Sequence, residues 1–236
     1  MDIEELKKQA AEKAVEQIQS GMVVGLGTGS TTTFAIQKIA ELLKSGQLKN
    51  IVGIPTSKTT EELARSLNIP LTTFAKIQEI DLTIDGADEV DFDLNLIKGG
   101  GGALLREKVV AQASKKVIII VDESKVSKHL GEKWHVPIEV LQFCVELEKK
   151  YLESIGARVK LRSGKDGNPF ITDEGNYILD ANFGVINSPQ SLAGQLESRA
   201  GIVEHGLFIG LADEVIVAAS NGTNSLKKSK KLKPIL

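Results

Sequence analysis

Apolar residues recur every four positions at Leu6, Ala10, Ala14 and Ile18, with charged residues between them. That spacing predicts an amphipathic helix over Ile3 to Ser20, stopped at Gly21. Met22 to Val24 is short and wholly apolar, as expected of a strand buried on both faces. It runs into Gly25 to Ser30, and Thr31 to Ser45 reads as the next helix. The pattern repeats along the chain. Ile51 to Ile54, Leu82 to Ile84 and Lys116 to Asp122 read as strands. Thr60 to Leu67 and Ala103 to Ser114 read as helices, and Leu94 to Ile97 is a further strand-like segment. Short apolar strands alternating with helices predict a Rossmann-like, mostly parallel α/β sheet with helices on both faces.

The pattern changes after Gly131. His135 to Val140 predicts a strand, Phe143 to Ser154 a helix, and Arg158 to Arg162 an alternating strand. Ser163 to Pro169 is turn chemistry. Phe170 to Thr172 and Tyr177 to Asp180 predict the next strand region. Pro189 to Ser198 predicts a helix capped by Ser188, and Val203 to Ile209 a last strand. The order β-α-β-β-α-β is that of a ferredoxin-like α+β module. Glu214 to Ala218 is another buried strand, expected to return to the first sheet. The expected division is therefore a Rossmann-like catalytic domain over 1–131 and 207–236, with an inserted α+β domain over 132–206.

Composition narrows the class. The 236 residues are 42% hydrophobic and 25% charged, near the globular average, which excludes a disordered or collagen-like chain. With 29 Lys and Arg against 31 Asp and Glu, the net charge is -2, so no global basic field exists to hold nucleic acid or a membrane. Five lysines (Lys227, Lys228, Lys230, Lys231 and Lys233) crowd the last residues and read as a solvated end rather than an RNA or membrane patch. Cys144 is the single cysteine and reads as core filler, consistent with a reducing cytoplasm. The acidic start at Asp2, Glu4 and Glu5 does not read as a signal peptide. His129, His135 and His205 lack metal-ligand spacing. The expectation is a cytoplasmic protein.

Three loops carry the candidate chemistry, because ligands of open α/β sheets bind beyond the carboxyl ends of the strands. Gly25 to Thr31 combines glycines, a following helix and the hydroxyls of Ser30 and Thr31, a combination suited to phosphate, although a tight turn uses the same residues. It is not a dinucleotide fingerprint, since Ser30 stands where the last glycine belongs. Asp85-Gly86-Ala87-Asp88-Glu89 places two carboxylates at a strand end, where they can accept sugar hydroxyls, bind Mg²⁺ or cap a turn. Lys98-Gly99-Gly100-Gly101-Gly102 is followed by Glu107. Four glycines carry a large entropic cost that close approach of a ligand to backbone explains, although a flexible loop with a solvated Lys and Glu has the same residues. A cation to stabilise negative charge and a carboxylate to move a proton flank this bare stretch.

Taken together, these motifs resemble ribose-5-phosphate isomerase, type A. The likeness extends through Val121 to Lys125, Gly131, Pro137 to Val140 and Gly206 to Phe208, covering nearly the whole chain in order. The resemblance implies interconversion of D-ribose 5-phosphate and D-ribulose 5-phosphate in the non-oxidative pentose phosphate pathway, without metal or organic cofactor. It implies Glu107 as the general base that carries a proton between carbons 2 and 1. Lys98, Asp85 and Asp88 complete the expected catalytic set. The implied substrate contacts are Thr28, Gly29, Ser30, Thr31, Asp85, Gly86, Ala87, Asp88, Lys98, Gly99, Gly100, Gly101 and Lys125, with Lys7 near the phosphate. A cytoplasmic homodimer or homotetramer is implied as well.

The chemistry is consistent in its own terms. Aldose–ketose isomerisation opens the ring, removes a proton beside a carbonyl and stabilises an enediolate. Partial burial is expected to raise the pKa of Glu107 and suit it to that work. The alternative from another class is a non-catalytic sugar-phosphate sensor on the same scaffold. Sensors of that kind carry a DNA-binding helix-turn-helix first, for which the roughly 20 residues ahead of the first strand are too few. A coenzyme A transferase acting through a Glu107 thioester is a second enzyme alternative.

Overall fold

The computed structural model describes residues 2–227. Its elements are α1 (Ile3–Val15), β1 (Val23–Leu26), α2 (Ser30–Lys44), β2 (Val52–Pro55), α3 (Lys58–Ser66), β3 (Leu82–Asp85), β4 (Glu89–Val90), β5 (Leu96–Ile97), α4 (Leu104–Gln112), β6 (Val117–Asp122), β7 (Val136–Val140), α5 (Val145–Ser154), β8 (Arg158–Leu161), β9 (Tyr177–Asn182), α6 (Pro189–Glu197), β10 (Ile202–His205), β11 (Leu207–Phe208), β12 (Glu214–Ala219) and β13 (Gly222–Lys227).

Six strands form the main sheet in the order β13-β12-β6-β3-β1-β2. Every pairing is parallel except β12 with β13. The apolar run of β6 explains why both faces are covered. Ile118 and Ile120 pack toward α1 and α2, while Val117, Ile119 and Val121 pack on the other side with Leu96, Ala111 and Phe208. Strand period 2 thus sends alternate residues of one run into two separate cores. As expected, Glu214 to Ala218 rejoins this sheet, paired parallel with β6.

Residues 136–205 build a second, antiparallel sheet in the order β10-β7-β9-β8. Helices α5 and α6 contribute Leu152, Ala193 and Leu196 to its core. A three-stranded sheet, β11-β5-β4, sits beside the main one. Helix α4 packs against β3 of the main sheet and against β7 and β10 of the second. Glu89 ties the chain where it leaves the main sheet: its buried carboxylate accepts N–H bonds from Gly131 (2.9 Å), Lys133 (3.0 Å) and Trp134 (3.1 Å).

Several boundaries differ from those expected. Helix α1 stops at Val15, and the chain continues in tight turns with Gln17 N bonded to Ala14 O and Ile18 N to Val15 O. Ser188 stands at the N-terminus of α6 with Pro189 behind it, but its side chain makes no capping bond. The expected strand Val203 to Ile209 is two strands in two sheets, broken at Gly206. There the backbone is clamped between Pro137 O and Lys98 N, and a Cβ would lie 2.3 Å from Lys98 O. Phe170 to Thr172 is not a strand. The Thr172 hydroxyl donates to the buried Glu139, and Thr172 N closes a turn onto Asn176 O. Strand β13 was not expected. It is an exposed, polar edge strand whose residues alternate weakly. Its last residue is Lys227. Lys228, Lys230, Lys231 and Lys233 lie outside the described residues.

Candidate active site

The three predicted loops meet at the carboxyl edge of the main sheet. They line a cavity of about 230 Å³ walled by Thr28 to Thr32, Gly86 to Asp88, Lys98 to Gly101 and Glu107, with Lys7 and Lys125 at its border. A larger cavity, about 700 Å³, lies on the far flank of α4 among Ile54, Leu71, Phe74, Leu105 and Val109. Its walls are largely apolar, with Glu61, Arg65, Lys76, Arg106 and Glu174 also lining it, and it contains none of the predicted residues.

Helix α2 begins at Ser30 behind Gly29, with no side chain capping its first turn. The first-turn N–H groups, with the hydroxyls of Ser30 and Thr31 beside them, are a donor set of the kind that suits an anion. The Thr28 hydroxyl belongs to a network with Thr56 (2.7 Å), Ser57 (2.8 Å) and Thr60 (3.1 Å), so it shapes the loop.

Glu107 and Lys98 form the centre. Lys98 Nζ lies 3.2 Å from Glu107 Oε1, 3.0 Å from Asp85 Oδ2 and 2.5 Å from the Gly86 carbonyl oxygen. Its three hydrogens therefore have three acceptors within the protein. Burial opposes its charge, but Asp85 and Glu107 outweigh that and hold its pKa above the ordinary lysine value. Glu107 is only 4% exposed. Burial pushes its pKa up to about 8, against the pull of Lys98, with Asp85 and Asp88 adding to the rise. The direction matches the expectation, and the burial is nearly complete rather than partial. Its Oε2 is buried and accepts no hydrogen bond from any described residue.

The two aspartates separate. Asp85 is buried behind the cavity wall, where Oδ1 accepts N–H bonds from Gly86 (2.8 Å) and Thr28 (3.1 Å) and Oδ2 faces Lys98. Asp88 lines the cavity, and its Oδ2 accepts the Gly100 N–H at 2.7 Å. That contact requires glycine, because a Cβ on Gly100 would lie 2.5 Å from Asp88 Oδ1. Glu89, at the end of the same motif, is the backbone anchor already described. Among the described residues no three His, Cys, Asp or Glu side chains are grouped to hold a metal ion.

The family model of ribose 5-phosphate isomerase A (phosphoriboisomerase A) matches residues 52–222. The chain belongs to the ribose 5-phosphate isomerase A family. A ribose-5-phosphate isomerase A from Desulfatibacillum aliphaticivorans is 60% identical over 222 residues, covering 94% of this chain and 96% of the relative. A solved D-ribose-5-phosphate isomerase in complex with phospho-erythronic acid superposes with a TM-score of 0.94 at 42% identity, covering 96% of this chain and all of the other. The ribose 5-phosphate isomerase from Plasmodium falciparum gives 0.92 at 45% identity over 96% and 99% of the two chains.

Sequence reasoning about this family member passed over four residues that the fold brings to the site's back wall. Lys108 is buried beside Glu107. Its Nζ donates to Glu204 (2.6 Å) and to the His205 carbonyl oxygen (2.7 Å). Two ammonium groups lie over the Phe208 ring, Lys98 at 5.5 Å and Lys108 at 5.0 Å from its centroid. His205, which lacks metal-ligand spacing in the sequence, is buried against Lys108. Burial, reinforced by Lys108, drives its pKa down to about 3 despite Glu197 at 3.5 Å, whose exposed charge solvent screens. The fourth is Arg162. Only the pairing of Glu107 with Lys108 on a short helix hinted at this wall.

Proposed function

We infer that this chain interconverts D-ribose 5-phosphate and D-ribulose 5-phosphate through an enediolate, as an aldose–ketose isomerase of the non-oxidative pentose phosphate pathway, with Glu107 moving the proton. One observation carries the reading: a buried carboxylate at the cavity wall has one oxygen held by Lys98 and the other without a partner. A sensor without chemistry has no use for so costly an arrangement, since an unsatisfied buried polar oxygen is destabilising.

The phosphate sits at the N-terminus of α2, held by Ser30, Thr31 and the first-turn N–H groups, with Lys7 and Lys125 supplying positive charge. The open-chain carbonyl end then lies toward Glu107. Oε2 takes the proton from carbon 2 and returns it to carbon 1. When Glu107 becomes neutral, its hold on Lys98 weakens, and that Nζ hydrogen turns to the enediolate oxygen as negative charge develops. N–H groups of the glycine run add to the same stabilisation. Asp88, which lines the cavity, takes the proton of the anomeric hydroxyl as the C1 carbonyl forms and delivers it to the ring oxygen as the C1–O bond breaks. Asp85 balances the charge of Lys98 and fixes the Thr28–Gly29 loop. A relative solved with phospho-erythronic acid, a phosphorylated sugar acid, accords with a site for open-chain sugar phosphates.

The enzyme acts as a cytoplasmic homodimer or homotetramer. Phe143 (92% exposed) and Leu147 (60% exposed), with Leu141 near them, give the second sheet's end an apolar surface suited to a subunit contact.

The deciding experiment is turnover of ribose 5-phosphate with EDTA present, wild type beside Glu107→Gln. Activity in the wild type and its loss in the variant supports both reaction and base. A folded but inactive wild type overturns the isomerase reading.

A further inference from the structure

The glycine run is held from the second sheet by one side chain. Arg162 follows β8 and is largely buried, with 12% of its side chain exposed. Its Nη1 donates to two consecutive carbonyl oxygens, Gly99 O (2.8 Å) and Gly100 O (3.1 Å). Its other edge is braced by Asp180 of β9, through Nε to Oδ2 at 3.0 Å and through Nη2 to Oδ1. Asp180 is fixed in turn by His135 Nε2 at 3.0 Å. Phe170 stacks near the guanidinium, 6.0 Å from centroid to Cζ, and fills the space beside Gly102, where a Cβ would lie 2.4 Å from its ring.

The consequence follows from peptide geometry. In a trans peptide the C=O of one residue and the N–H of the next point in opposite directions. Holding the Gly99 and Gly100 carbonyls toward Arg162 therefore aims the Gly100 and Gly101 N–H groups the other way. Gly100 N–H meets Asp88. Gly101 N–H has no acceptor among the described residues, and Gly101 lines the cavity. A cation on the carbonyl oxygen also polarises each peptide and makes its N–H a stronger donor. Within the run only the Gly102 N–H returns to the Gly99 carbonyl oxygen (2.9 Å), which closes the turn but leaves the Gly100 carbonyl to be held from outside, by Arg162.

We propose that Arg162, braced by Asp180, is a positioning residue for catalysis: it orients the Gly100 and Gly101 N–H groups toward Asp88 and the enediolate. The proposal rests on the isomerase reading above for what those donors stabilise. Because the donors act on charge that develops in the transition state, losing their alignment lowers kcat more than it raises KM.

The test compares Arg162→Ala and Arg162→Lys with wild type, at full length. Arg162→Ala is expected to lower kcat about 30-fold or more with KM within about 3-fold, the scale of a lost oxyanion donor or somewhat below it. Guanidinium ion at tens of millimolar is expected to restore part of that kcat, which a general loss of structure would not permit. Arg162→Lys, which keeps the charge but cannot fork between Asp180 and two carbonyls, is expected to fall between the two and covers the case of an unfolded Arg162→Ala. Folded variants with kcat within about 3-fold of wild type, or a loss in KM alone with no response to guanidinium, overturn the proposal. The amide resonances of Gly100 and Gly101 give a readout that does not need turnover. They shift in the Arg162 variants if the restraint is real and stay in place if it is not, even should the wild type prove inactive on ribose 5-phosphate.

Discussion

Lys98 Nζ lies 3.2 Å from Glu107 Oε1, with both side chains withdrawn from solvent. The pair is not symmetrical. Lys98 also has Asp85 and a carbonyl oxygen, while Glu107 has only Lys98 and keeps its second oxygen unpartnered. The lysine is over-supplied with negative partners and the glutamate under-supplied with positive ones. That imbalance leaves the proton-accepting capacity on Glu107.

Replacing Glu107 by Gln keeps the volume and removes the proposed base. We expect at least ~10²-fold lower kcat with substrate binding retained, measured by steady-state turnover together with isothermal titration of a sugar-phosphate ligand. Near-normal turnover would remove Glu107 from the mechanism.

Replacing Lys98 by Met takes the cation from the buried Asp85 and from its neighbour Glu107. A loss of about 3–5 kcal/mol in folding stability is expected, measured by urea unfolding at neutral pH. The same variant should also be inactive. A Lys98→Met protein as stable as wild type would contradict a role for Lys98 in balancing buried charge.

The raised pKa of Glu107 makes a prediction of definite sign. The base is active when ionised, so kcat/KM rises with pH through a limb near 8, well above the ordinary carboxylate range. Stability moves the opposite way. A group whose folded pKa lies above its unfolded value contributes fully below the unfolded pKa, and the contribution fades as pH climbs toward the folded one. Wild type should therefore lose stability relative to Glu107→Gln between about pH 5 and 8, as read by thermal melts across that range. Parallel melting curves for the two proteins would contradict it.

Ser30→Ala with Thr31→Ala removes hydroxyl donors from the helix end and leaves the reacting carbons alone. The expected result is a raised KM with kcat changed less, because a remote phosphate anchor binds ground state and transition state alike. An unchanged KM would place the phosphate elsewhere.

Much of this was legible in the sequence, and the reason is local. The alternation of apolar runs with helical spacing gave away the main sheet, and Gly99 to Gly102 between Lys98 and Glu107 marked the candidate site, because four glycines in a row are too costly in entropy for an ordinary loop. What stayed hidden depends on partners distant in the chain. Arg162 looked like the end of an alternating strand. Its meaning comes from Gly99 and Asp180, which only the assembled sheets bring to it. Lys108 and His205 met the same obstacle, since nothing in either neighbourhood announces the other. Gly206 broke an apparently continuous strand, as the contact that demands a missing Cβ is with Lys98 O. Asp85 and Asp88 read alike in the motif, and only burial distinguishes the brace from the residue that faces the cavity.

The pairing of β6 with β12 has a consequence for how the protein is made. During synthesis β6 emerges early, while its outer partner waits until residues 123–213 have been translated. For that interval the most apolar strand of the chain is an open edge on the growing polypeptide, the kind of edge that recruits other chains. Any delay in closing the antiparallel sheet between them lengthens the exposure. Slowing that step, through the turn at 163–169 for example, should show first as aggregation of nascent chains, before any loss of activity in the molecules that finish.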